Sequence, residues 1–161
     1  MKRILFVDDE PDLMEVVVKL LKGQGFEVIQ ATTGRMGLEM AGSEQPDIIL
    51  LDAMMSDLDG WEVARKLKTQ EEAKNLPIIM FTVMAEDKYR KRSFEYADAE
   101  WHISKPFESE VFFEVLNLAT KKKDELEGLI EAAIQRDDKM VKLLEMINPK
   151  LLSEKYSYLK N

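Results

Sequence analysis

The stretch PDIILLDAMM, residues 46–55, decides the fold. Its short and almost continuous apolar run is typical of a strand that is buried on both faces of a parallel sheet. Asp52 follows the run directly, at the carboxyl end of the predicted strand. In open α/β sheets this end borders the crevice where ligands bind. We therefore expect Asp52 to lie at the edge of the sheet that carries the chemistry.

Four further apolar runs alternate with helical patterns along the chain. The patterns predict strands at 3–7, 26–31, 78–82 and 101–104, in addition to the one that ends before Asp52. They predict helices at about 11–21, 34–41, 61–67, 87–96 and 107–119. Strands that alternate with helices favour a parallel sheet covered on both faces, with right-handed crossovers. We predict a three-layer, doubly wound, flavodoxin-like α/β domain with five strands in the order 2-1-3-4-5.

The composition changes at about residue 120, where a Lys-rich segment precedes another helical pattern. We therefore divide the chain into a domain at 1–120 and a helical C-terminal extension at 121–161, too short for a well-cored domain of its own. The extension is expected to fold onto its own domain, with homodimerisation as the alternative. It has no helix-turn-helix or other DNA-reading unit. Its apolar stripe consists of Leu126, Ile130, Ile134, Val141, Leu144 and Ile147.

Charge and composition narrow the classes of partner. The 161 residues include 31 acidic and 23 basic side chains, for a net charge of −8, which argues against a nucleic-acid or anionic-membrane surface. Without cysteine the chain has no disulfides or thiolate metal sites. The N-terminus does not resemble a signal peptide, and no apolar stretch approaches the roughly 18 residues of a spanning helix. We expect a soluble, cytoplasmic protein.

Polar side chains follow four of the predicted strands, where the carboxyl ends of parallel strands meet at one edge. They are Asp8, Asp9, Asp52, Thr82 and Lys105. Neighbouring carboxylates repel one another unless a cation compensates their charge. Oxygen ligands without His or Cys favour a hard ion, Mg²⁺ before Mn²⁺ or Ca²⁺.

These residue types together suggest phosphoryl chemistry. A carboxylate can attack phosphorus to give an aspartyl phosphate, and catalysis then depends on neutralising the phosphoryl oxygens. We assign Asp52 as the nucleophile and Asp8 and Asp9 as metal ligands. Lys105 is the predicted counter-charge of the phosphoryl group, and Thr82 its predicted hydroxyl donor.

The chain resembles the receiver domains of two-component response regulators over roughly residues 1–120. The matching motifs are ILFVDDE at 4–10, LLDAMM at 50–55, DG at 59–60, PIIMFT at 77–82 and SKPF at 104–107. The resemblance implies phosphorylation of Asp52 by a histidine kinase or phosphotransfer protein, slow self-dephosphorylation, and the Met54 backbone carbonyl as a further Mg²⁺ ligand. It implies a non-enzymatic phosphorelay protein that signals through its helix 4/strand 5/helix 5 face, after movement of Thr82 and of the residue three before Lys105. The Lys105–Pro106 bond is often cis in the family.

Four positions depart from the family pattern. His102 stands at the switch position, where Tyr or Phe is usual; a titratable ring would make switching sensitive to pH, whereas an ordinary half-buried ring would not. Val83 replaces a small residue and would narrow access to the phosphoryl group, lengthening its lifetime. Ser56 replaces a frequent Pro. Asp98 replaces a frequent Gly, and Asp tolerates a left-handed backbone better than most residues.

We read the chain as a stand-alone receiver that signals to a downstream protein. One alternative is an aspartyl-phosphate-forming phosphatase of the haloacid-dehalogenase type. Such enzymes require a second acid two residues after the nucleophile, and this chain has Met54 at that position. A second alternative is a phosphorylation-independent interaction module. A flavin carrier is disfavoured because the loop after the first strand is acidic.

Overall fold

Five parallel strands form one sheet in the order β2-β1-β3-β4-β5, which confirms the predicted topology. The structure is a computed structural model, and it describes residues 2–84, 86–136, 142, 144, 148 and 149. The strands are β1 Arg3–Val7, β2 Glu27–Ala31, β3 Ile48–Leu51, β4 Ile78–Thr82 and β5 Trp101–Ser104. All residues of β3 and β4 are buried, as expected for central strands covered on both faces.

Helices cover both faces of the sheet. They are α1 Pro11–Gly23, α2 Gly34–Ser43, α3 Gly60–Leu67, α4 Asp87–Lys91, α5 Ser109–Ala119 and α6 Lys123–Arg136. Alternate strand residues belong to two separate apolar clusters, one shared with α1 and α5 and the other with α2 and α3. No helix in the described residues is long and apolar enough to cross a membrane.

Two helix boundaries differ from the sequence prediction. The pattern at 87–96 predicts one continuous helix, but α4 gives way after five residues to a π-helical turn, Arg92–Tyr96. Side-chain periodicity indicates that a helix is present, whereas the i→i+5 bond depends on local backbone packing. Helix α5 begins at Ser109 rather than at residue 107, because Glu108 at its N-cap has an extended backbone. The Lys105–Pro106 bond is cis. Asp98 has the predicted left-handed backbone, with φ of 55°.

The described part of the C-terminal extension packs against its own domain. Ile130 and Leu144 are buried in the apolar cluster that α1 and α5 share, and Leu126 and Ile134 lie partly buried against it. This packing favours the folded-back arrangement over a free helix. Val141 and Ile147 of the predicted stripe lie outside the described residues, and the domain boundary at 120 stays a prediction.

Candidate functional site

Strand pairing places Asp8 and Asp52 side by side at the carboxyl edge of the sheet. Strands β1 and β3 run parallel with Val7 opposite Leu51, so the residue after each strand leaves the sheet at the same level. Asp8 is 1% and Asp52 6% exposed. One carboxylate oxygen from each of Asp8, Asp9 and Asp52 lies within 4.8 Å of the others. The three acids that the sequence singles out therefore form one cluster.

Backbone N–H groups orient all three carboxylates. Asp8 Oδ1 accepts a hydrogen bond of 2.9 Å from the N–H two residues later. Asp9 Oδ2 accepts one of 2.9 Å from Ser56, and Asp52 Oδ1 one of 3.3 Å from Met54. The second oxygens of Asp9 and Asp52 make none of these bonds and are available to a cation or a phosphoryl group, whereas Asp8 Oδ2 accepts from Lys105 Nζ at 2.9 Å.

Lys105 supplies the positive charge of the cluster. Its Nζ lies 2.9 Å from Asp8 Oδ2 and 3.5 Å from Asp52 Oδ1, and its side chain is only 9% exposed. The Lys105 backbone N–H donates to the Thr82 carbonyl at 2.7 Å, which ties the end of β5 to the end of β4. A buried ammonium shared between two carboxylates is stabilised where it stands, and it can turn toward a third anion.

The environment of Asp52 disfavours its charged form. Burial raises the pKa of Asp52 from 3.8 to about 6; the ammonium of Lys105 opposes this shift, and the negative charge of Asp8 adds to it. A nucleophilic carboxylate must be ionised. A divalent cation among the acids would offset the repulsion and favour the ionised form.

The donor set fits Mg²⁺. It consists of carboxylate oxygens from Asp8, Asp9 and Asp52, close enough together to share one ion. Mg²⁺ prefers few carboxylates and keeps several waters, which suits an edge cluster better than a closed cage. Met54 lies two residues after Asp52 with an exposed side chain, and the role of its backbone carbonyl stays a prediction.

Thr82 ends β4 at the same edge and is fully buried. Its Oγ1 accepts a hydrogen bond of 3.2 Å from the backbone N–H of Met84, which leaves the hydroxyl hydrogen as a donor. Val83, the next residue, is 60% exposed. The end of β4 therefore carries a buried hydroxyl, followed along the chain by an exposed aliphatic side chain.

His102 is more buried than the sequence suggests. Only 2% of the residue is exposed, and its Nδ1 lies 2.9 Å from the Ser93 hydroxyl. Burial, aided by the positive charge of Arg90, lowers the pKa of His102 to about 4. Such a pKa favours a neutral ring at physiological pH, because desolvation penalises the imidazolium. It argues against a switch that titrates there, and the role of His102 as the switch residue stays a prediction.

Two residues that shape the surroundings of Asp52 could not be identified from the sequence. Asp57 accepts hydrogen bonds from the N–H groups of Gly34 and Arg35, which ties the start of α2 to the loop that follows Asp52. Gly60 approaches the Asp52 backbone so closely that a Cβ atom there would lie 2.0 Å from the Asp52 carbonyl oxygen. The DG motif is the only local signal for Gly60, and the distance along the chain hides the partners of Asp57.

Comparison with known sequences gives one consistent family. The chain matches the response regulator receiver domain over residues 4–117. It is 34% identical over 110 residues to the DNA-binding dual master transcriptional regulator RpaA of Synechocystis, a match that covers 68% of this chain and 45% of RpaA. It is 31% identical over 120 residues to protein PilH of Pseudomonas aeruginosa, covering 73% of this chain and 96% of PilH. The chain thus spans about half the length of RpaA and nearly all of PilH.

Solved structures agree with the sequence matches. Chemotaxis protein CheY4 of Vibrio cholerae has a TM-score of 0.69 at 28% identity, over 74% of this chain and 98% of that chain. The receiver domain of the sensor histidine kinase PA1611 from Pseudomonas aeruginosa has a TM-score of 0.67 at 28% identity, over 71% of this chain and 93% of that chain. The latter structure holds a magnesium ion coordinated in its active-site cleft.

Proposed function

The chain belongs to the response regulator receiver domain family of two-component systems, and from this premise we propose that it accepts a phosphoryl group on Asp52. The observation that carries the proposal is the convergence of three carboxylates with Lys105 at one edge of the sheet. The donor is the phosphohistidine of a sensor histidine kinase or of a phosphotransfer protein. The product is a 4-aspartylphosphate that persists until water removes the phosphoryl group.

The proposed transfer uses each polar side chain once. A carboxylate oxygen of Asp52 attacks phosphorus, a P–O bond forms, and the P–N bond to the donor imidazole breaks, so that the electron pair leaves with nitrogen. The ammonium of Lys105, now 3.5 Å from the acceptor carboxylate, turns toward a phosphoryl oxygen. The hydroxyl of Thr82 donates to another phosphoryl oxygen. Both contacts neutralise charge that the transfer places on the equatorial oxygens.

We propose that Mg²⁺ is bound by Asp8, Asp9, Asp52 and the backbone carbonyl of Met54. When bound, it would neutralise the acidic cluster and the incoming phosphoryl group. The support is the all-oxygen donor set within 4.8 Å. The magnesium ion in the PA1611 receiver domain supports the same assignment by similarity.

The signal is proposed to pass by protein contact through the face formed by α4, β5 and α5, to a downstream protein. The net charge of −8 supports a protein target rather than nucleic acid, and cytoplasmic action follows from the kinase partner. The match to nearly all of PilH supports action as a lone receiver. RpaA is named as DNA-binding, but this chain matches less than half of it.

Binding of beryllofluoride with Mg²⁺, a non-covalent stand-in for the phosphoryl group, tests the proposal. We expect saturable, Mg²⁺-dependent binding to the wild type and none to Asp52→Asn. Asp47→Asn is the matched control, because Asp47 precedes the same strand at its opposite end. Failure of the wild type to bind would favour the phosphorylation-independent module. Turnover of a generic phosphomonoester that Asp52→Asn abolishes would instead revive the phosphatase.

A further inference from the structure

The side chain of Ser93 joins α3 to β5 inside the protein. Trp61 Nε1 donates a hydrogen bond of 3.0 Å to Ser93 Oγ, and the same oxygen lies 2.9 Å from His102 Nδ1. Ser93 is completely buried, and the other two residues are at most 3% exposed. We call these three side chains the Ser93 junction. Polar groups this deeply buried lose much when a partner is removed.

The Ser93 hydroxyl is the partner of His102 Nδ1 in either direction of its hydrogen. The oxygen accepts from the indole N–H of Trp61, and the hydrogen can point to the Tyr89 carbonyl, 3.2 Å away, or to His102 Nδ1, 2.9 Å away. In the first case Nδ1–H donates to Ser93 Oγ, and in the second Nδ1 accepts the hydroxyl hydrogen. Both arrangements hold the ring on Ser93.

The π-helical turn brings Ser93 to this place. The Ala97 N–H bonds to the Arg92 carbonyl at 3.0 Å, the i→i+5 bond of the turn, and the Ala99 N–H bonds to the Ser93 carbonyl at 2.9 Å. Single π-helical turns are rare in proteins, and those that occur are often found at functional sites. On the outer side of the turn the Arg92 guanidinium lies 5.1 Å from the centre of the Trp61 ring. The π-helical turn therefore contacts the Ser93 junction twice, through the Ser93 side chain itself and through the Arg92 guanidinium on the Trp61 ring.

The Ser93 junction also lies next to two parts of the proposed phosphorylation site, the backbone beside Asp52 and the loop after β4. Trp61 follows Gly60, whose backbone packs on the Asp52 carbonyl. On the other side, the backbone N–H of Met84 donates to Thr82 Oγ1, while the same residue bonds to the ring of His102. If the Thr82 hydroxyl moves toward a phosphoryl group, its hydrogen bond from the Met84 N–H would break. The hydrogen bond between Ser93 and the His102 ring would remain.

We propose that Ser93 is a positioning residue that holds the ring of His102 inward both before and after Asp52 is occupied. Position 102 is then a fixed part of the core, and the loop after β4 together with the π-helical turn moves instead of the ring. The statement about the occupied state rests on the proposed function. The statement about the unoccupied state rests only on the contacts of Ser93.

Nuclear magnetic resonance of the single histidine tests both statements. Imidazole ¹⁵N shifts and the Trp61 indole proton are compared in wild type, Ser93→Ala and Ser104→Ala, with and without Mg²⁺ and beryllofluoride. Ser104 is the control because its hydroxyl lies 3.4 Å from Nε2, too far for a strong bond. Wild type and Ser104→Ala should keep one and the same neutral tautomer throughout. Ser93→Ala should shift both the Trp61 indole proton and the imidazole ¹⁵N signals.

Two results overturn the proposal. One is a Ser93→Ala spectrum in which the His102 and Trp61 signals match the wild type. The other is a wild-type ring that changes tautomer when beryllofluoride binds. If Ser93→Ala fails to fold, the rate at which diethyl pyrocarbonate modifies His102 in the wild type is measured instead. The rate should stay slow with and without Mg²⁺ and beryllofluoride. Faster modification when beryllofluoride is bound would refute the fixed ring. If the ¹⁹F spectrum shows no bound beryllofluoride, the proposed function is rejected. The comparison of wild type with Ser93→Ala in the absence of beryllofluoride still tests the role of Ser93.

Discussion

Replacing Asp52 with Asn should stabilise the metal-free protein at neutral pH. The wild-type carboxyl has its pKa raised from 3.8 to about 6, mainly by burial, with only 8% of its side chain exposed. At 1.36 kcal/mol per unit, this shift means that the ionised group lowers the free energy of unfolding by about 3 kcal/mol. Because the folded pKa is the higher one, the penalty is absent below pH 3.8, grows as the pH rises toward 6, and is complete above it.

Thermal unfolding with EDTA at several pH values measures this effect. At pH 7.5 the midpoint of Asp52→Asn should exceed that of the wild type by about 6–12 °C for a chain of this size, and the two should converge at pH 4. Asp47→Asn, the control at the opposite end of β3, should show no such pH dependence. Mg²⁺ should narrow the gap by stabilising the wild type more. Equal midpoints at pH 7.5, or a gap unchanged at pH 4, would refute the reasoning.

Three further substitutions probe the site. Lys105→Ala should lower the free energy of unfolding by about 3 kcal/mol in urea titrations because it leaves buried carboxylates unpaired; the exposed Lys121→Ala should change it by under about 0.5 kcal/mol, and equal effects would contradict the buried ion pair. Gly60→Ala should cost about 4 kcal/mol or prevent folding, since its Cβ would strike the acceptor backbone. By contrast, Gly128→Ala, which has open space in α6, should be neutral or stabilising by up to about 1 kcal/mol; similar losses at both glycines would argue against the close approach. Val83→Ala should shorten the half-life of the phosphoprotein several-fold by admitting water, and an unchanged decay rate would show that Val83 does not shield the phosphoryl group.

The fold was predictable because its signals are local and mutually consistent. The apolar run before Asp52 indicates a buried strand, and the helical patterns on either side require a parallel sheet. Once the strands are parallel, their carboxyl ends must share an edge, so Asp8 and Lys105 can be placed near Asp52 although 97 residues separate them. The same signals cannot give the distances or the ionisation of the cluster, which depend on burial.

Features that depend on one tertiary partner were not predictable. The sequence around His102 indicates a strand, yet the partner of its ring is Ser93, nine positions earlier, in a helical turn of unusual geometry. Only the structure shows the indole N–H of Trp61 bonded to Ser93, 32 positions away. Hydrophobic periodicity reports which face of an element is buried, but not which polar atoms meet inside.

Phosphorylation of Asp52 is the central claim, and intact-protein mass spectrometry after treatment with acetyl phosphate and Mg²⁺ tests it most directly. The wild type should gain the mass of one phosphoryl group, lose it slowly after the donor is removed, and gain none when EDTA replaces Mg²⁺. Asp52→Asn should remain unmodified, while Asp47→Asn should behave as the wild type. A wild type that stays unmodified, or an Asp52→Asn variant that is modified equally well, would contradict the account.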